Sequence, residues 1–226
     1  MILRVLLIAL MVAVQVPVRA QETTPLETNA QRFSYGVGLQ IGRQLKRQGF
    51  SGIDVRAIAL AIDDVLEGRD LRVSMEDMQV ATTAYQNELN AEKLAQGEKN
   101  RAAGEKFLRE NSSREGVVVL DSGLQYRVIE SGAGESPTET DTVAVHYRGR
   151  LLDGTEFDSS YGRGEPTELG VGQVIPGWQE VLQIMPVGSK WEVWIPAPLA
   201  YGTQGAASIG PNQTLRFEIE LIEIKG

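Results

Sequence analysis

The 226-residue chain has no cysteine and a single histidine, His146. The first absence excludes disulfides, thiolate catalysis and Cys-based zinc sites, and the second excludes a multi-histidine metal cage. Positive charge is in deficit: 22 Lys and Arg against 30 Asp and Glu give a net charge of −8. An acidic surface repels phosphate, so neither nucleic acid nor an anionic membrane is an expected partner. Nor is there a phosphate-binding loop, because Gly162-Arg163-Gly164 lacks the strand–turn–helix setting and the remaining glycines. Long apolar runs are missing too. The run from Val5 to Val14 falls well short of the ~20 residues that cross a bilayer.

That short run has a different use. Arg4 precedes it, and Val18 and Ala20 stand at the −3 and −1 positions of a cleavage site, the pattern of a secretory signal peptide. Removing residues 1–20 takes Arg4 and Arg19 away and moves the net charge from −8 to −10. The expected mature protein is exported and soluble.

Proline is absent between Leu26 and Ser136, whereas seven of the nine prolines lie from Pro137 to Pro211. The first region therefore reads as helical and the second as strands with turns. Phe33, Val37, Ile41 and Leu45 recur every four residues and predict one helix, with Gly36, Gly38 and Gly42 along it. Such glycines cost a helix up to ~1 kcal/mol each relative to alanine, and make sense where another backbone comes close. Asp54 is a candidate cap for a second helix bearing Val55, Ile58, Ile62, Val65 and Leu66, with Gly68 as its stop. Ser74 and Asp77 open a third pattern running to about Glu110. From Asn90 to Lys106 its apolar stripe thins to Leu94 and alanines. That predicts a solvent-exposed stalk of roughly 50 Å, with Gly97 and Gly104 as points of bending. Two short apolar helices make a marginal core alone, so residues 21–113 are expected to form a helical homodimerisation domain with a long linker helix.

Residues 114–226 predict an antiparallel sheet. Val143, Val145 and Tyr147 recur at every second position, Trp191, Val193 and Ile195 alternate with Lys190, Glu192 and Trp194, and Leu215, Phe217, Ile219 and Leu221 alternate with Arg216, Glu218 and Glu220. The phase slips at Ile222 and Ile224, as at a bulge. One short helix fits between strands, carrying Trp178, Val181, Leu182 and Met185. The expected fold class is α+β: a half-barrel sheet wrapped on one short helix, enclosing an apolar cavity, preceded by the helical domain.

A serine-type nucleophile would need His146 as base. His146 neighbours Tyr147 on a strand, so the two side chains point to opposite faces; if Tyr147 faces the cavity, His146 does not. Glu218 and Glu220 read as a solvated strand face. What remains is a cavity of aromatics.

The order of motifs gives that cavity a meaning. Val145-His146-Tyr147, Phe157-Asp158-Ser159-Ser160, Val174-Ile175-Pro176-Gly177-Trp178, Ala200-Tyr201-Gly202 and Gly210-Pro211-Asn212 before Thr214-Leu215-Arg216-Phe217 resemble the FKBP-type peptidyl-prolyl isomerases. Gly123-Leu124-Gln125-Tyr126 and the helical region resemble the exported two-domain subgroup that includes the macrophage infectivity potentiator and periplasmic chaperones. The resemblance implies an isomerase rotating X–Pro bonds in unfolded or partly folded polypeptides, without metal or cofactor, in the periplasm or at the outer membrane and cell surface. It implies Trp178 as the floor of the pocket, with Tyr147, Phe157, Val174, Ile175 and Phe217 as walls and Ile209 at one rim. Asp158 would sit near the reacting carbonyl, oriented by Tyr147 and Arg163, while Tyr201 OH and the Ile175 N–H would bind peptide carbonyls. Macrolide inhibitors are an implied ligand class. Two departures bear on them: Leu169 stands near where relatives carry a pocket aromatic, and the loop Gly205-Ala206-Ala207-Ser208 is small. The alternative from another class is a holdase chaperone or surface-binding protein with a vestigial pocket, its function carried by the helical region.

Overall fold

A computed structural model describes residues 26–225; the expected signal peptide lies outside them. The chain divides into two compact units, one ending at Leu71 and the other beginning at Arg72. No helix among the described residues is long and apolar enough to cross a membrane.

The first unit holds α1 (Asn29–Arg47) and α2 (Val55–Leu66). A reciprocal capping box opens α1: the Gln31 N–H donates to Thr28 Oγ1 at 3.2 Å and the Thr28 N–H to Gln31 Oε1 at 2.9 Å. Asp54 Oδ1 caps α2 by accepting from the Arg56 and Ala57 N–H groups, and Gly68 stands just past its end with φ +65°. Neither helix buries an apolar side chain. Phe33 is 75% exposed and Leu66 79%. A Cβ added at Gly36, Gly38 or Gly42 would meet nothing within 4 Å.

The second unit begins with α3 (Met75–Asn111), started by Ser74 Oγ, which accepts the Asp77 N–H at 3.0 Å. Seven strands follow: β1 (Val117–Val119), β2 (Gln125–Glu130), β3 (Thr142–Leu151), β4 (Glu156–Ser159), β5 (Thr167–Gly170), β6 (Lys190–Ile195) and β7 (Leu215–Ile224). They form one open antiparallel sheet in the order β1-β2-β6-β7-β3-β4, with β5 paired to β3. The single helix α4 (Pro176–Leu182) lies between β5 and β6 in sequence, with Pro176 at its first turn, where no N–H is needed. Period-two alternation puts Val143, Val145 and Tyr147 of β3 on the same face as Val193 of β6 and Phe217 and Ile219 of β7. Trp178, Val181 and Leu182 of α4 pack among them in the core. The phase slip at the end of β7 is a bulge: Ala144 pairs with Glu223 but Val145 with Leu221, leaving Ile222 unpaired.

The second half of α3 is exposed over most of its surface, as expected, but one narrow stripe of it docks instead of standing clear. The helix runs unbroken through Gly97 and Gly104, and both glycines are buried. Where they were expected to permit bending, they permit contact: an added Cβ at Gly97 would lie 3.2 Å from Asn212 Nδ2, and one at Gly104 would collide with Thr214 Oγ1. Further along, Phe107 meets Trp194 with ring centroids 6.4 Å apart, and buried Asn111 donates to Gln125 Oε1 at 2.9 Å. This explains why Trp194, on the outer face of β6, is only 3% exposed.

Candidate active site

Tyr147 on β3, Trp178 on α4 and Phe217 on β7 converge because each strand presents alternate residues to the inner face and α4 lies across it. The three rings stand at right angles. Tyr147 and Trp178 have centroids 5.3 Å apart at 90°, Trp178 and Phe217 5.3 Å at 88°, and Phe157 of β4 meets Phe217 at 5.6 Å and 87°. Edge-to-face contacts of this kind add about 0.5–1.5 kcal/mol each beyond burial and fix ring orientation. Gly149 makes the arrangement possible, since a Cβ there would stand 2.6 Å from the Phe157 ring and 2.8 Å from Phe217.

These rings, with Val174, Ile175, Leu169 and Tyr201, line an open cavity of about 330 Å³. Asp158 and Gln173 supply its polar edge. Ile209 is not among the lining residues; it is 8% exposed and packed in the core. Arg163 is outside the lining as well but grips it. Its Nη1 donates to Asp158 Oδ1 at 3.0 Å, and its Nη2 donates to Tyr147 OH at 3.0 Å and to Thr167 Oγ1 at 2.9 Å. Tyr147 OH in turn donates to Asp158 Oδ2 at 2.6 Å. The carboxylate is thus held by a hydrogen bond at each oxygen.

This geometry sets protonation. Partial burial pushes the Asp158 carboxyl up, but the hydrogen bonds from Tyr147 and Arg163 outweigh it, and its pKa lies below the ordinary value. Burial and the bond to Asp158 push the Tyr147 phenol above its ordinary value, with Arg163 opposing. At neutral pH the site therefore holds a fixed carboxylate and a neutral phenol. Two other polar groups stand ready at the cavity: neither Tyr201 OH nor the Ile175 N–H has a hydrogen-bond partner among the described residues.

His146 points away, as the alternation requires. Its ring stacks on Tyr161 at 4.8 Å and 12°, and Nδ1 lies 3.0 Å from Ser160 Oγ. No group of three or more His, Cys, Asp or Glu side chains suited to a metal comes together among the described residues. Gln173 and Thr167 did not stand out in the sequence, since a glutamine in a short turn and a threonine on an edge strand carry no periodic signal. Chemically, the site offers an open aromatic slot with one hydrogen-bonded negative charge at its edge and free donors beside it.

Residues 133–222 match the family described as FKBP-type peptidyl-prolyl cis-trans isomerase, and residues 30–128 match the domain amino terminal to it. The FKBP-type 22 kDa peptidyl-prolyl cis-trans isomerase of Escherichia coli is 48% identical over 204 residues, covering 89% of this chain and 99% of that one. Outer membrane protein MIP of Legionella longbeachae is 43% identical over 218 residues, covering 94% and 93%. The crystal structure of FkpA from Escherichia coli superposes with a TM-score of 0.66 at 32% identity, covering 89% of this chain and 99% of the other. The chain therefore belongs to the FKBP-type peptidyl-prolyl cis-trans isomerases, and the X–Pro peptide bond is what it turns.

Proposed function

We propose that the rotation takes place in the slot floored by Trp178, with Tyr147, Phe157, Asp158 and Tyr201 touching the reacting segment and Val174, Ile175, Leu169 and Phe217 walling the proline ring. The observation that carries this is the anchored Asp158 carboxylate at the mouth of an aromatic cavity beside two unpartnered donors. An amide resists rotation by ~18–20 kcal/mol because resonance makes its C–N bond partly double. At 90° that resonance is lost, the carbonyl oxygen carries less negative charge, and a dry pocket accommodates it better than the planar form. The carbonyl carbon becomes more electrophilic at the same time, so a fixed carboxylate edge favours the twisted state. Tyr201 OH and the Ile175 N–H hold the flanking carbonyls so that one side turns against the other. Binding the twisted form selectively is the whole of the catalysis, and each tenfold acceleration needs ~1.4 kcal/mol of it.

The test is the rate of cis–trans exchange in a short X–Pro peptide. Asp158→Ala should lower kcat/KM by about 10- to 100-fold, the loss of a charged contact, and Tyr201→Phe by about threefold to tenfold. Wild-type rates in both variants would remove the slot from consideration.

The pH profile makes a second check. Asp158 has a folded pKa below its ordinary ~3.9, so the stability it contributes is present above that value and lost as pH falls through the depressed one. With His146 on the opposite face, kcat/KM should stay level from about pH 5 to 8 and fall only in acid. A break within that range would require a titrating group outside the slot and defeat the mechanism.

We further propose that the mature chain is exported after cleavage at Ala20. Its clients would be proline-containing polypeptides still folding there, since uncatalysed X–Pro isomerisation takes tens to hundreds of seconds and limits folding. In the same reading it pairs through α1 and α2, whose exposed apolar faces and open Gly36, Gly38 and Gly42 suit a second copy of themselves. The exposed Met75 and Met78 add adaptable apolar surface that favours a chaperone role beside isomerisation.

A further inference from the structure

Lys93, Gly97, Asn100 and Gly104 lie four, three and four residues apart, on one stripe of α3. That stripe faces residues 200–214, the loop leading into β7, through side-chain hydrogen bonds and close approaches at its two glycines. Lys93 Nζ donates to Gln204 Oε1 at 3.2 Å, and Asn100 Nδ2 donates to the Pro211 carbonyl at 2.7 Å. Asn212 Nδ2 donates to the Gly97 carbonyl at 3.2 Å. Gly104 lets the helix backbone come up against Thr214. Asn212 is the pivot. It sits at φ +53°, in the left-handed region that asparagine tolerates better than most residues, and its own N–H closes the base of the loop on the Gly202 carbonyl at 2.8 Å.

The same loop carries Tyr201 at one end and Ile209 near its tip. Apart from α3 it is held by Ile209, which is packed in the core, and by a few backbone bonds. The Gly205 N–H reaches the Tyr201 carbonyl at 3.1 Å, Ala206 and Ile209 exchange a pair of bonds, and the intervening side chains are small. A loop of Gly, Ala and Ser would otherwise sample many conformations, and holding a side chain within about 0.5 Å of its working position needs support from behind.

We propose that α3 is that support: Gly97, Asn100 and Gly104, together with Asn212, are positioning residues that hold the Tyr201 loop against the substrate slot. They touch no substrate. The inference rests on the reading of Tyr201 as a substrate ligand. It makes the linker helix part of the catalytic unit, so that any strain or binding event along α3 is felt at the rim of the slot.

The experiment uses the full mature chain. Asn100→Ala should lower kcat/KM on an X–Pro peptide by about threefold to tenfold, chiefly through KM, because the loop binds rather than reacts. In a Tyr201→Phe background the same change should cost less than twofold. Gly104→Ala should show a similar loss, and adding Thr214→Ala, which removes the hydroxyl that the new Cβ strikes, should restore most of it. Amide exchange at Gly205, Ala206 and Ile209 should quicken in Asn100→Ala while β3 and β7 stay protected. Unchanged exchange in the loop, or a loss of activity that is fully additive with Tyr201→Phe, overturns the proposal. If Tyr201→Phe alone changes nothing while loop exchange still quickens, it is the role of Tyr201 that fails and the brace that stands.

Discussion

Trp178→Ala is expected to lower kcat/KM on X–Pro peptides by at least about a hundredfold and to destabilise the domain by about 3–5 kcal/mol. Two losses combine. Trp178 is 4% exposed and contacts Tyr147 and Phe217 edge-on, so truncation opens a void at the junction of α4, β3 and β7 that the surrounding rings cannot close without leaving their perpendicular packing. Water then enters the slot, and the preference of a dry site for the twisted, less polar carbonyl disappears. Trp178→Phe separates the two effects. It keeps a ring in contact with both neighbours, so the domain should stay folded at the assay temperature, as read by near-ultraviolet circular dichroism. The shallower floor should still cost about fivefold to twentyfold in rate, the value of roughly 1–2 kcal/mol of differential contact. A folded Trp178→Phe with wild-type kcat/KM would mean that the floor does not discriminate the twisted state, and the desolvation mechanism would have to be abandoned.

How much of this was legible in the sequence follows from which interactions are periodic. Leu215, Phe217, Ile219 and Leu221 announce β7 because one face is buried and the other is not, and the same holds for Val143, Val145 and Tyr147 on β3. Caps are local, so Asp54 and Ser74 could be read directly. The wall of the slot was legible only through motif order, since Phe157, Val174 and Tyr201 belong to no common period. What the pattern does not reveal is the docked stripe in the second half of α3, a helix otherwise exposed as expected. Its docking stripe is Lys93, Gly97, Asn100 and Gly104, and a hydrophobic pattern search sees only a polar helix. Close approach through glycine and amide side chains leaves no apolar signature, so the docked stripe cannot be told from the exposed residues around it. Trp194 is a second case: it lies on the outer face of β6, and only Phe107, distant in sequence, accounts for its burial. Gly149 is a third case, where the signal is a missing side chain whose partners lie on β4 and β7.

Removing residues 21–72 from the mature chain is expected to convert a two-chain species into a single chain by sedimentation, with peptide isomerisation per site kept within about twofold. The first part follows from the area left uncovered. Phe33, Tyr35, Val55, Val65 and Leu66 are each at least 60% exposed, with Val37, Leu39, Leu60 and Ile62 between 41% and 45%. Burying large apolar side chains is worth about 1.5–3 kcal/mol each, so covering even half of these on two copies yields a gross gain on the order of 10–25 kcal/mol. Association itself costs roughly 4–15 kcal/mol, and the midpoints of the two ranges differ by about 8 kcal/mol, the value of a micromolar dimer. The second part follows because every residue proposed for the slot, and the α3 stripe behind it, belongs to the unit that begins at Arg72. The full mature chain sedimenting as a monomer at micromolar concentration would leave those faces without the partner proposed for them. A shortened chain that stays dimeric would move the interface to Met75, Met78 and Val80 on the first turns of α3, the remaining exposed apolar cluster on that helix. Activity on peptides retained alongside lost acceleration of protein refolding would locate client capture in the helices and bond rotation in the slot, dividing the work between the two units.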